Sequence, residues 1–296
     1  MRTLIKQTKL FPYCLILPSI FIIVSTVLYP IILTLFYSLE YYKLTKPYSR
    51  KFIGLQNYVD IFRDSEFYSA LINTSLVILV LLILGVSFSF LVSLILERQN
   101  KITNLLTAIA IIPWALPPVV NGLIWKFIFY PEFGFINKLL YYFNLVDRPI
   151  LWLNSQYGSL IIFGIIVAWR AIPFCTILLL ANIKAIPEEI FEAAEIDGAS
   201  SFQKIKNIIL PMLLPTFLIV VTNLTLIGIN VFDEFVALVG FRKLGEPFMI
   251  YNYNQTFSFF NIGYGSAISY TITLLCGVLG YIYIAFLNRR WKQYEK

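Results

Sequence analysis

Long apolar runs alternate along this chain with short polar stretches. A membrane-spanning helix needs about 20 mostly apolar residues. Six stretches meet that requirement. They predict helices over about residues 11–37, 70–96, 105–130, 158–183, 208–232 and 264–287. The fourth carries a charge, Arg170, near its middle. The uncharged run from Pro247 to Asn288 is too long for one span. Its first part is polar, with Tyr251, Asn252, Tyr253, Asn254, Gln255 and Asn261, and predicts an aromatic-polar loop ahead of the sixth helix. A secretory signal is the competing reading of the first run, because Arg2, Lys6 and Lys9 resemble a charged leader. The apolar part far exceeds the roughly 7–15 residues of such a leader and no small-residue cleavage site follows it, so a retained helix is expected.

The polar connections set an orientation. Segments rich in Lys and Arg stay on the cytoplasmic side. The short segments holding Arg2, Lys6, Lys9, Arg98, Lys101, Lys184, Lys204, Lys206, Arg289, Arg290, Lys292 and Lys296 are denser in cations than the long loops opposite. Six spans with both termini cytoplasmic satisfy that bias. Trp125, Lys126, Tyr130, Tyr141 and Tyr142 then read as an interfacial belt with a snorkelling lysine. Pro12, Pro18, Pro30, Pro113, Pro117, Pro118, Pro173, Pro211 and Pro215 fall in or at the ends of spans. Broken backbone at membrane depth is tolerated where it is buried in protein or lines a cavity, so these breaks suit a transport path better than a simple anchor.

Composition narrows the chemistry. Of 296 residues, 59% are hydrophobic and 13% charged, against roughly 25% charged in a soluble domain. That excludes a soluble enzyme, a disordered protein and a free nucleic-acid binder. There is no histidine, which removes His-based nucleophile, general-base and zinc chemistry. The three cysteines, Cys14, Cys175 and Cys276, sit in separate apolar runs. A metal cluster or disulfide framework is not expected from them. No phosphate-binding G-x-x-x-x-G-K-[ST] occurs. The reading is an all-α membrane protein, a six-helix bundle forming a single domain over 1–296, with no catalytic residues, no metal and no cofactor of its own.

One loop, 184–207, departs from the apolar pattern. Pro187 suits a first helical position, and Glu188 and Glu189 follow where the helix dipole favours anions. Ile190, Ala193, Ala194 and Asp197 share helical spacing. Gly198 ends the helix, and Phe202, Ile205 and Ile209 carry a second amphipathic stretch into the fifth span. A helix resting on lipid is the competing reading. Glu188, Glu189, Glu192, Glu195 and Asp197 would be repelled by anionic headgroups, which favours a protruding helix for a protein partner.

Glu192-Ala193-Ala194 with Gly198, Asp197-Gly198-Ala199-Ser200 and Leu210-Pro211 together resemble the signature loop of ABC-importer permeases. Phe52-Ile53-Gly54-Leu55-Gln56-Asn57-Tyr58 is similar to a segment after the first helix in the binding-protein-dependent sugar branch of that family, the branch that includes maltose-type and glycerol-phosphate-type permeases. Pro113-Trp114-Ala115-Leu116-Pro117-Pro118, Phe133-Gly134-Phe135-Ile136-Asn137, Trp169-Arg170 with Pro173-Phe174, and Val231-Phe232-Asp233 extend the likeness over most of the chain. The stretch Gly240-Phe241-Arg242-Lys243-Leu244-Gly245-Glu246-Pro247 replaces that branch's usual G-G-P turn, which implies a loop built differently.

The resemblance implies a type I importer permease: half of a translocation pore, paired with a second homologous permease. Two cytoplasmic ATP-binding subunits would hold ATP and Mg, and an extracytoplasmic sugar-binding protein would deliver a monosaccharide or short oligosaccharide. Glu188, Glu189, Glu192, Ala193, Ala194, Asp197 and Gly198 would couple to the ATPase. The segments of Trp114–Pro118 and Trp169–Phe174 would lie by the substrate cavity, making Trp114, Pro118, Asn121, Arg170, Phe174, Asn223 and Asn230 the substrate-contact candidates. A central arginine costs about 2.5 kcal/mol or more on insertion scales. It therefore either offers donors to substrate hydroxyls or pairs with Asp233 or Glu234. Trp114 either stacks on a sugar or faces lipid or a neighbouring helix, and each asparagine either meets substrate or bonds a neighbouring helix. Three rivals stand beside this reading: a permease for glycerol phosphate or polyamines, a secondary transporter, and a membrane-embedded enzyme.

Overall fold

The computed structural model describes residues 11–97 and 101–294, with side chains over 13–97 and 102–285. Arg2, Lys6, Lys9, Arg98 and Lys296 lie outside the described residues, and Lys101, Arg289, Arg290 and Lys292 are described for backbone alone. The chain is almost entirely helical. In order it forms α1 (Phe11–Ile23), a π-helical turn (Val24–Leu28), α2 (Tyr29–Ser38), a two-stranded antiparallel hairpin of β1 (Glu40–Tyr41) and β2 (Lys51–Phe52), and α3 (Gln56–Ile61). Then come α4 (Ser65–Leu96), α5 (Lys101–Ala115), α6 (Pro118–Ile128), α7 (Phe135–Tyr142) and α8 (Gln156–Ile183). The second half holds α9 (Glu188–Ile196), α10 (Ser201–Lys204), a π turn (Ile205–Ile209), α11 (Leu210–Met212), α12 (Leu214–Asn230) and α13 (Asp233–Val239). Last are α14 (Phe248–Tyr253), a π turn (Asn254–Ser258) and α15 (Ile262–Tyr294).

Among the described residues, four helical stretches are long and apolar enough to cross a membrane, and six if each of two bent pairs counts as one span. The sequence predicts one helix over 105–130; the structure divides it into α5 and α6, bent by 96°. Leu116 and Pro117 each precede a proline, and a residue before proline is pushed out of the α region; Pro117 accordingly has ψ 140°. The fifth predicted span is likewise bent, by 67°, between Ser201–Met212 and Leu214–Asn230. Pro215 has no N–H to give the carbonyl of Pro211, so the ladder cannot run through. Residues 248–258, predicted as a loop, are helical. Their polar side chains are used locally: the Thr256 hydroxyl donates to Asn252 Oδ1 and the Ser258 hydroxyl to Asn254 Oδ1, each four residues apart.

The described residues fall into two compact units: 11–64 with 252–274, and 65–251 with 275–294. In the first, the apolar faces of α1 and α2 are largely exposed, as suits a helix surrounded by lipid or by another chain. Asn57 is the hub of the hairpin region. Its amide donates to Ser38 O at 2.8 Å and Glu40 O at 2.9 Å, and Tyr58 shares a 2.8 Å bond with Ser38. These bonds turn the chain back at the end of α2, and they give the Phe52–Tyr58 motif its structural role. Arg50 lies over the rings of Tyr37 and Tyr42 and bonds Glu40 at 2.8 Å; that carboxylate raises its pKa further.

In the second unit α8 is central and packs against α4, α5 and α12. On α4 the buried positions Ala70, Asn73, Thr74, Val77, Leu81, Gly85, Ser89 and Ser93 recur every three or four residues. This is a stripe of small and weakly polar side chains, which lets helices approach closely when lipid supplies no hydrophobic drive. Trp125, predicted at the interface, instead packs inward, edge to face on Trp169 and stacked on Phe129. Tyr141 and Tyr142 are exposed. The unusual 240–247 loop is stapled by Arg242, which donates to Leu153 O and, at 2.6 Å, to Ser159 Oγ. Burial lowers the pKa of that guanidinium.

Candidate functional site

Two places concentrate the candidate residues. The first is a cavity of about 190 Å³ lined by Trp114, Arg170, Ala171, Phe174, Asn223 and Ile227. Three helices build it. Trp114 sits in the last turn of α5, just before the proline break, and stacks on Phe174 of α8 with ring centroids 5.7 Å apart and planes 21° apart. The pair forms a flat apolar wall. Arg170, one turn before Phe174 on α8, shares the same face because residues four apart on a helix lie above one another. Asn223 enters from α12, and its Oδ1 is buried without a hydrogen-bond partner. The cavity is therefore lined by aromatic rings, a guanidinium and an amide.

Behind this wall lies an ion pair. Arg170 Nε donates to Glu234 Oε1. Asn121, fully buried, donates to the same oxygen at 3.3 Å and to Ile166 O at 3.4 Å. Of the two acids that the sequence leaves open as partners, the structure uses Glu234, which is 3% exposed, while Asp233 faces outward. The contact depends on Gly122. A Cβ there would sit 2.6 Å from Glu234 O and 2.7 Å from Ala237 Cβ, so only glycine lets α6 lie this close to α13.

The remaining substrate candidates fall elsewhere. Pro118 is half-buried at the start of α6, outside the cavity lining. Asn230 is exposed at the end of α12, and its amide donates to Leu226 O within its own helix. Asn121 belongs to the ion-pair network. The reading of the sequence missed Ile227 as a wall residue; as one of many apolar residues in a span it carries no distinguishing signal.

The second place is α9. Pro187 is its N-cap, one position before the helix begins. The helix stops because Gly198 takes φ +74°, and Gly198 N and Ala199 N bond back to Glu195 O and Ala194 O at 3.0 and 2.8 Å. A Ser200–Gln203 capping box starts α10 at once. Lys204 bridges back to Glu195 and lowers its carboxyl pKa. Glu188, Glu189, Glu192, Ala193, Asp197 and Gly198 are exposed and Ala194 half-buried. Ile190 and Ile196 are exposed too, Ile196 at 88%. Phe202, on the amphipathic stretch expected to run with Ile205 and Ile209 into the fifth span, is 72% exposed, whereas Ile209 is buried; the π-helical turn of Ile205–Ile209 breaks the α-helical spacing that would put them on one face. Small, apolar and acidic residues thus crown a protruding helix.

Proline-broken helices around a polar, aromatic-lined cavity, with a separate protruding helix, define a multi-pass membrane permease. Residues 85–293 match the family of binding-protein-dependent transport system inner membrane components, and the chain belongs to that family. It is 33% identical over 273 residues to the trehalose/maltose transport system permease protein MalF of Thermococcus litoralis, covering 89% of this chain and 88% of that one. It is 31% identical over 272 residues to the trehalose transport system permease protein SugA of Mycobacterium tuberculosis, covering 92% and 87%. Its fold is that of a chain in the crystal structure of a bacterial ABC transporter that imports the acidic polysaccharide alginate, with a TM-score of 0.83, 19% identity, and 98% and 99% coverage.

Proposed function

We propose that this chain is one half of the translocation pore of an ATP-driven importer for a neutral sugar, a monosaccharide or short oligosaccharide. The observation that carries this reading is the cavity. The stacked Trp114–Phe174 wall suits the apolar C–H face of a sugar ring, and Arg170 and Asn223 suit its hydroxyls. The trehalose and maltose systems of the relatives support the substrate class. At about 190 Å³ the cavity is smaller than the roughly 300–1,000 Å³ of complete ligand pockets. This favours a site completed by a second permease.

On this reading the chain is a single transmembrane domain with both termini cytoplasmic. Residues Glu188–Gly198 dock on one of two ATP-binding subunits, which carry ATP and Mg, and an extracytoplasmic sugar-binding protein delivers the solute. Nucleotide-driven closure of the ATPases moves α9 and rocks the bundle between inward- and outward-facing states. The exposed acids, alanine and isoleucine of α9 support the docking role. Trp114→Ala tests the cavity: sugar uptake should fall by at least tenfold while basal ATPase activity and assembly with the partner subunits persist. Uptake at normal apparent affinity in the assembled variant would rule out the cavity as the sugar site.

A further inference from the structure

Arg170 is the charged residue in the cavity lining, so the field a solute meets depends on what balances that guanidinium. Arginine is the side chain best suited to planar, bidentate capture of phosphate and carboxylate. Left alone in a cavity of low dielectric it would make an anion site. It is not left alone here. Building on the reading of this cavity as a sugar site, we propose that Glu234 is a specificity-determining residue. Its carboxylate cancels the charge of Arg170 and occupies Nε, so the cavity keeps donors for the hydroxyls of a neutral polyol but withholds the net positive charge that would hold a phosphorylated, sulfonated or carboxylated solute.

The geometry carries this in three ways. Glu234 is buried and comes from a different helix than Arg170, so the balance is built by tertiary packing and not by helix-surface pairing. Asn121 donates to the same carboxylate oxygen and is itself tied to Ile166 O, which fixes the carboxylate behind the guanidinium. Among the described residues the guanidinium makes its hydrogen bond to protein through Nε. Its two amino groups are left to the cavity as neutralised donors. A hydroxyl oxygen is served by such a donor, whereas an anion gains most from an uncompensated charge.

The test reads cavity charge directly. The complete transporter would carry Ile227→Cys as a reporter in the cavity wall, with Cys14, Cys175 and Cys276 replaced by serine. The rates of reaction with anionic methanethiosulfonate ethylsulfonate and cationic methanethiosulfonate ethyltrimethylammonium give an anion-to-cation ratio. Removing one unit charge several ångströms away at an effective dielectric near 20 shifts that ratio by about tenfold or more. Glu234→Gln should raise the ratio by that factor, and the double variant Arg170→Gln/Glu234→Gln should return it to the parent value. The step from Arg170→Gln alone to the double variant reads the same carboxylate from the other side, should Glu234→Gln not assemble. A ratio that stays within about twofold across both steps overturns the proposal. The underlying sugar reading has its own arm. Trehalose, maltose or glucose should slow labelling of the parent. If the charge ratio moves but none of the three sugars protects, the sugar reading fails while the charge balance stands.

Discussion

Arg170 and Glu234 form the pair on which the cavity turns, and their burial makes them unequal partners to remove. Breaking a buried ion pair from one side leaves an uncompensated charge and costs about 3–5 kcal/mol, whereas removing both is far cheaper. Arg170→Ala should therefore lower the thermal stability of the purified complex sharply, and adding Glu234→Ala should recover most of the loss. Simply additive losses in this double-mutant cycle would show that the two side chains are not coupled. The sequence made Arg170 legible, because a charge in mid-span must face protein or water. It left Asp233 and Glu234 equivalent, being adjacent. The start of α13 decides between them by turning the first outward and the next inward. Asn223 and Asn230 show the same limit. They are one heptad apart and share a helix face, yet at 1.5 Å per residue they lie about 10 Å apart along the axis, and only Asn223 is at the depth of the cavity.

At the scale of the element, α9 was legible nearly to the residue. Its start, its acidic first turn and its glycine stop are all local signals, and the observed helix begins one residue after Pro187. Gly198 has a positive φ that proline cannot adopt, so Gly198→Pro should misdirect the helix. Ala193→Glu and Ile196→Glu should spoil its exposed face without touching the bundle. Each is expected to leave the protein inserted but to abolish substrate-stimulated ATP hydrolysis and uptake together. Normal stimulated hydrolysis in all three would remove α9 from the coupling path. Phe202 has the helical spacing of Ile205 and Ile209, but the π-helical turn at Ile205–Ile209 shifts the face between them. The bends after α5 and α11 follow from prolines plain in the sequence, but their angles, 96° and 67°, come from the neighbours against which each half packs.

For the whole molecule the distribution of Lys and Arg along the sequence predicts an orientation of the spans. Ser200, in the loop of α9, and Ser49, in the hairpin region, should lie on opposite sides of the membrane. Cysteine at position 200 should react with a membrane-impermeant reagent only from the cytoplasmic side, and cysteine at 49 only from outside. The reverse labelling would invert the orientation. The exposed apolar surface of α1 and α2 and the small volume of the cavity are whole-molecule features of the same kind. Both are what is expected of a chain whose surfaces are completed by lipid and, on the proposed function, by other subunits.

Hydropathy and proline placement act locally, since each residue must meet lipid or break a ladder wherever the chain goes. They therefore set by themselves the candidate spans, the places where helices break and the exposed acidic helix. The choice of Glu234 over Asp233, the inward packing of Trp125, the stacking of Trp114 on Phe174 and the withdrawal of Asn121 into the ion pair depend on which helices meet and how closely. Only the tertiary structure decided those, because a side chain in a span finds its partner across helices 44 to 113 residues away in sequence, where no local periodicity reaches.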